Sequence, residues 1–177
     1  MLLLAGALAV LTADAMQAYL RETAYARVGL AKVIARTPEV VAFVVAKNAE
    51  AEPMERVRRQ DQRWADSPLR KTLTQNPCAS ALKKLTASDP VVVEVLLMDN
   101  QGALVCASAE TTDYYQGDEA KWQKTFQEGL DPFIDTPALD SSSGKYAIQV
   151  SVPVADGGHR IGALTLTVKV AGRAEGP

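Results

Sequence analysis

Residues 111–122 read TTDYYQGDEAKW. This short stretch holds two phenols (Tyr114, Tyr115), an indole (Trp122), three carboxylates (Asp113, Asp118, Glu119) and an ammonium (Lys121). That mixture suits a small-molecule pocket: rings give apolar walls with hydrogen-bonding tips, and a few polar groups fix orientation. Folded over the polar face of a sheet, the segment would close a pocket with Gln149 and Ser151 as its floor. A second reading of the same residues stays open. Trp122 and Phe126 are i,i+4 neighbours, and aromatics at helical spacing are more often core. In that reading they anchor the interior, Asp118 only caps a helix, and Gln149, Ser151 and Thr165 face water.

Nothing else in the chain gathers reactive groups as densely. His159 is the one histidine, beside Gly157-Gly158; with no second histidine or Cys/His cluster it reads as an exposed turn residue, not a metal ligand. Cys106 paired with His159 as base would be a nucleophile that nothing activates. There is no G-x-S-x-G elbow and no glycine-rich phosphate loop after a strand. No catalytic residue, metal or cofactor is expected. Arg56, Arg58, Arg59 and Arg63 read as a solvated face, not an anion site.

The elements that must position these residues divide the chain in two. Met16, Leu20, Ala24, Val28 and Ala31 recur at steps of four and three, one face of a long amphipathic helix. Thr37-Pro38, Ser67-Pro68 and Asn76-Pro77 each place a polar cap before a proline at the first helical position, so short helices follow. Met54, Val57 and Trp64 mark a further amphipathic stretch, and Asp89-Pro90 ends the helical part. Period two then takes over. Val93, Val95 and Leu97 alternate with Val92, Glu94 and Leu96, a strand apolar on nearly both faces. Asp99-Asn100-Gln101-Gly102 turns it back into Ala103–Ala109, antiparallel because so short a link permits only a hairpin. Asp118 is expected to cap the helix of Trp122 and Phe126, with Gly129 ending it. Residues 130–144 read as an irregular loop with one short edge strand. The last hairpin puts Tyr146, Ile148, Val150 and Val152 on one face and Ala147, Gln149 and Ser151 on the other. Its return strand alternates Leu164, Leu166 and Val168 with Thr165 and Thr167. The fold class is α+β, with a long helix and short helices covering one face of an antiparallel sheet of about five strands.

The chain has 177 residues, 47% hydrophobic and 23% charged, enough for one domain with an ordinary core. Nineteen basic residues against 21 acidic ones give no electrostatic case for binding nucleic acid. Met1–Leu11 is apolar but too short to span a bilayer comfortably. Ala13-x-Ala15 after it has the small-residue pattern of a signal-peptide cleavage site. The expected division is 1–15 a signal peptide or membrane anchor, 16–89 helical, 90–170 the sheet and 171–177 a tail. Export would place the protein in the periplasm or outside the cell, or on the inner membrane if residues 1–15 are retained. Cys78 and Cys106 fit an oxidising compartment and one disulfide. Two buried, unpaired thiols are the alternative.

Three runs together carry a family resemblance: Met98-Asp99-x-x-Gly102-x-x-Val105-x-x-Ser108, then Thr112 to Lys124, then Ser151-Val152-Pro153-Val154 with Gly162-Ala163-Leu164. Over residues 16–170 the chain resembles a Cache-type (PDC) sensor domain, of the small exported bacterial kind. The resemblance implies a PAS-like antiparallel sheet under a long N-terminal helix. It also implies a non-catalytic domain that binds a small molecule under the loops after the second strand. The implied ligand residues are Asp113, Tyr114, Tyr115, Lys121 and Trp122, with Tyr146 and Gln149, although strand phase sets those last two on opposite faces. The resemblance does not extend to the tyrosine–arginine–tryptophan arrangement of amino-acid-binding members, and the ligand class stays open. The partners it implies are that small molecule and a membrane signalling protein; a dimer through the N-terminal helix stays open. The alternative function is an exported structural or interaction protein that keeps the sensor fold without a pocket.

Overall fold

A computed structural model describes residues 13–140 and 145–169 of the chain. The apolar run Met1–Leu11 and the 171–177 tail lie outside the described residues. Six helices come first: α1 (Ala13–Tyr25), α2 (Val28–Ala35), α3 (Pro38–Ala49), α4 (Met54–Gln62), α5 (Leu69–Gln75) and α6 (Pro77–Thr86). The expected long helix is therefore two. The chain turns at Ala26-Arg27, where the Arg27 guanidinium donates back to the Thr23 carbonyl and grips Asp89 with two bonds of 3.0 and 3.2 Å. A bidentate guanidinium–carboxylate pair holds geometry as well as charge, and it fixes the break against the segment that leads into the sheet. The apolar stripe runs on through it, with Met16, Leu20, Ala24 and Ala31 all buried.

Pro38 and Pro77 stand first in their helices as their positions predict, whereas α5 begins at Leu69 with Pro68 at its N-cap position; the two remaining caps also differ. Asn76 caps α6 by accepting the Ala79 N–H at 2.8 Å, whereas the Thr37 hydroxyl donates backwards to the Val33 carbonyl at 3.0 Å. Among the described residues no helix is long and apolar enough to cross a membrane.

Six strands follow: β1 (Val92–Met98), β2 (Leu104–Ala107), β3 (Phe133–Ile134), β4 (Ala138–Asp140), β5 (Lys145–Asp156) and β6 (His159–Lys169). They form one antiparallel sheet in the order β2-β1-β6-β5-β3, with β4 also paired to β5. Gly157 and Gly158 both have positive φ, 54° and 83°. A two-residue hairpin needs that conformation to match the strand twist, and it sets the long β5–β6 ladder in register. One expectation of strand phase fails. A bulge between Val92 and Glu94 rotates Val92 onto the helix-side core and leaves Val93 42% exposed on the other face. An extra residue in one strand reverses the faces beyond it, so Glu94 comes to lie opposite Thr167.

The helices cover one sheet face. Val95 and Leu97 of β1, Ile148, Val150 and Val152 of β5, and Leu164, Leu166 and Val168 of β6 pack there against α1, α2, α3 and α6. The disulfide Cys78–Cys106, with Cα atoms 5.9 Å apart, ties α6 to β2 at the edge of this core. Closing a loop of that length contributes roughly 3 kcal/mol by restricting the unfolded chain. A second cluster lies on the opposite face, where Leu96, Met98 and Ala163 meet Trp64, Tyr114, Tyr115 and Trp122.

Candidate ligand-binding cavity

The loop that follows β2 is held over the sheet by bonds that its sequence partly announces. Asp99 builds the β1–β2 turn by accepting the N–H groups of Gln101 and Ala103 at 2.8 and 2.9 Å. Gly102 in this turn has φ +86°, and a side chain there would collide with the backbone of Gly117. That close approach lets Gln116 donate its N–H to the Gly102 carbonyl at 2.7 Å. From α4, one oxygen of Asp61 accepts both the Tyr114 and Tyr115 N–H groups at 2.9 Å. The Trp64 indole donates to the Thr111 carbonyl, and the Trp122 indole to the Asp99 carbonyl at 3.0 Å.

Pinned in this way, the rings are packed. Tyr114 lies tilted on Trp64 with centroids 5.4 Å apart, and its hydroxyl donates to Glu52. Arg58 sits 3.7 Å over the Tyr115 ring. Trp122 stacks on Phe126 at 5.0 Å. They are carried by α7 (Ala120–Trp122), which runs on into a π-helical turn, Gln123–Gln127. Glu119 occupies the N-cap position of α7, while Asp118 is exposed and pairs with Arg58 at 3.4 Å. Burial pushes the Tyr114 phenol up to about 12, with Lys47 pulling it down and Glu52 adding to the rise. Such a phenol stays protonated and acts as a donor.

Beyond the packed rings the same sheet face opens into a cavity of about 460 Å³. The strands supply Glu94, Ala147, Gln149, Thr167 and Lys169, and the loop supplies Thr111, Thr112, Gln116, Glu119 and Lys121. The Lys121 side chain is only 5% exposed and its ammonium lies 2.6 Å from Glu119. The Thr167 hydroxyl donates to Glu94 at 2.8 Å. Burial raises the Glu94 pKa, while that hydrogen bond and the charges of Lys121 and Lys169 lower it. Gln116 is 1% exposed; its amide N–H₂ donates to the Asp113 carbonyl, and its buried carbonyl oxygen has no donor.

Of the seven expected ligand residues, Lys121 and Gln149 line this cavity and the other five do not; Glu119 from the same segment lines it too. Tyr114, Tyr115 and Trp122 belong to the packed cluster beside it. Asp113 is exposed and accepts from the Thr112 hydroxyl at 2.6 Å. Tyr146 packs on the helix side of the sheet, as its strand phase relative to Gln149 requires. Ser151 is not the floor either: it and Thr165 are fully buried and bonded to each other at 2.8 Å. Glu94, Thr167 and Gln116 were not singled out. Glu94 had a signal, being the one acid inside the run VVVEVLL. Gln116 had none, because its burial depends on how the loop folds.

A cavity walled by hydroxyls, amides and both signs of charge is fitted to hold a small hydrophilic molecule. Among the described residues no group of three or more His, Cys, Asp or Glu side chains converges to hold a metal ion. A second, smaller cavity of about 330 Å³ lies between α3, α5, α6 and β2, with Phe43, Leu73 and Tyr114 on its walls.

The sequence matches no family model and no curated protein. Solved structures to which the chain is similar include sensor domains. The sensor domain of the V. cholerae histidine kinase DctB is 14% identical, with a TM-score of 0.48 over 88% of this chain and 51% of that one. The sensory domain of the Campylobacter jejuni chemoreceptor Tlp3 is 20% identical, with a TM-score of 0.45 over 87% of this chain and 64% of that one. The ligand-binding domain of the Pseudomonas aeruginosa amino acid chemoreceptor PctC, in complex with GABA, is 16% identical, with a TM-score of 0.42 over 88% and 62%. The chain thus spans about half to two thirds of the length of these structures.

Proposed function

We propose that this chain is an exported, non-catalytic sensor domain that holds a small hydrophilic molecule in the cavity over β1, β5 and β6. It would report that molecule to a membrane signalling partner or deliver it there. The observation that carries the reading is the cavity itself: about 460 Å³ of open space beside Lys121 and Gln149, next to a closely packed ring cluster on the same sheet face. The recess is open to solvent, floored by strands and walled by polar groups from the loop, which is the arrangement that lets a small polar molecule enter and be held. The bridge Cys78–Cys106 suits an oxidising compartment such as the periplasm. Lys121 and Gln149 line the proposed site, and Glu94, Gln116, Glu119 and Thr167 join them; the rings of Tyr114, Tyr115 and Trp122 act as the frame.

The competing reading is an exported scaffold without a ligand, which the tight packing of those rings favours. Thermal melts against a library of small polar metabolites separate the two. A ligand at a hundred times its Kd stabilises a fold by about 2.7 kcal/mol. Ala147→Trp, which fills the cavity from β5, is expected to abolish the shift. A library that moves neither protein supports the scaffold.

A further inference from the structure

We propose that the smaller cavity, about 330 Å³ between α3, α5, α6 and β2, is a second binding site that takes a small uncharged molecule built on a ring. It shares no lining residue with the cavity over β1, β5 and β6, so the claim stands whether or not that first cavity holds a ligand. The apolar walls come from three elements. Phe43 of α3 and Leu69 and Leu73 of α5 pack against the two cores but are only partly buried, and all three line the cavity, with Leu104 and Val105 of β2. Two of the walls are tied covalently, because the lining residue Cys78 at the start of α6 is bridged to Cys106 in β2. The hollow is therefore preformed, at the lower end of the roughly 300–1,000 Å³ range of small-molecule pockets.

The polar groups of the lining decide the class of molecule, because they already answer one another. The Lys47 ammonium lies between two carboxylates, 2.7 Å from Glu50 and 2.9 Å from Glu52. The Tyr114 hydroxyl donates to Glu52, and the Asn76 side-chain oxygen accepts the Ala79 N–H. An anion could reach Lys47 only by displacing Glu50. A cation would exchange water for carboxylates that Lys47 already occupies. Desolvating either charge without a new partner is unfavourable. What the cavity offers without a partner is apolar surface, so the gain on binding comes from removing such surface from water. Phe43 and Tyr114 are aromatic, and ring pairs gain beyond their buried area, which favours a ring as the apolar body.

The test uses benzyl alcohol, benzylamine and benzoate, which share one ring and at neutral pH present a hydroxyl, a cation and an anion. Amide-shift NMR titrations of the whole chain are expected to show saturable binding of benzyl alcohol, about tenfold or more tighter than of either charged probe. The shifted amides are expected at residues 43–47, 69–73 and 104–105. Ala46→Trp fills the cavity from an exposed position on α3 that lines it and is expected to abolish the binding, whereas Ala147→Trp leaves it unchanged. The mapping in the wild type decides even if a variant does not fold. Tighter binding of benzylamine or benzoate at these residues overturns the uncharged assignment. Shifts confined to Glu94, Ala147 and Thr167, equal binding by a folded Ala46→Trp protein, or no saturable binding of any probe overturns the second site.

Discussion

The sheet face turned away from α1–α3 has two ends that received opposite treatment. At the end formed by Leu96, Met98 and Ala163 it is covered by rings from Trp64, Tyr114, Tyr115 and Trp122, each with its polar tip or backbone hydrogen-bonded. At the end formed by Glu94, Gln149 and Thr167 it is polar and open. One segment, the loop 108–119 with the start of α7, serves both ends: its tyrosines close the first, and Gln116 and Lys121 wall the second. The most aromatic part of the molecule therefore lies beside the cavity and does not line it. The strand part of the open cavity is walled by polar side chains, on a sheet whose other face packs against the helix-side core.

That contrast is broken most sharply at the filled end. Trp122→Ala or Tyr114→Ala removes a buried ring and is expected to lower stability by about 3–5 kcal/mol in denaturant unfolding, whereas Thr167→Ala at the open end lowers it by about 1 kcal/mol or less. Equal losses at the two ends would erase the distinction. Next in size is the bridge. Cys78→Ser combined with Cys106→Ser is expected to lose roughly 3 kcal/mol, measured against the same protein before and after reduction. Asp61→Ala strips the acceptor from the Tyr114 and Tyr115 N–H groups and is expected to lose about 1–3 kcal/mol. It should also loosen the loop, read as faster amide exchange across residues 111–117.

The smallest effect sharpens the comparison by pH. Burial raises the Glu94 pKa in the folded protein, so the native state binds a proton more readily than the unfolded chain. Stability at this site therefore falls as pH rises from the unfolded glutamate value of about 4.3 through the raised native one. Above that window Glu94→Gln should be as stable as the wild type or slightly more so. Below it the advantage should vanish. A Glu94→Gln protein that loses stability at neutral pH would mean that the carboxylate is already well paired.

Much of the framework was legible in the residues because periodicity encodes burial directly. The strict alternation from Tyr146 to Val152 and from Leu164 to Val168 reappears in the core facing the helices. The i,i+4 spacing of Trp122 and Phe126 reappears as a stack. The bulge after Val92 was not legible, since an extra residue leaves no mark in a run of valines. The break at Arg27 was equally silent, because it depends on Asp89 far along the chain. The site was half legible for a related reason. Tyrosine and tryptophan suit a pocket wall and a capped core equally well, and only tertiary contacts such as Trp64 on Tyr114 decide between them. Glu94 stood out within an apolar strand, but its place on the cavity wall depends on the loop above it.

Saturation-transfer NMR with a mixture of small polar metabolites, run side by side on the wild type and Ala147→Trp, tests the occupied-cavity claim most directly. The account predicts transfer to at least one component in the wild type and none in the filled variant. Transfer of equal strength to both proteins, or to neither, would contradict it.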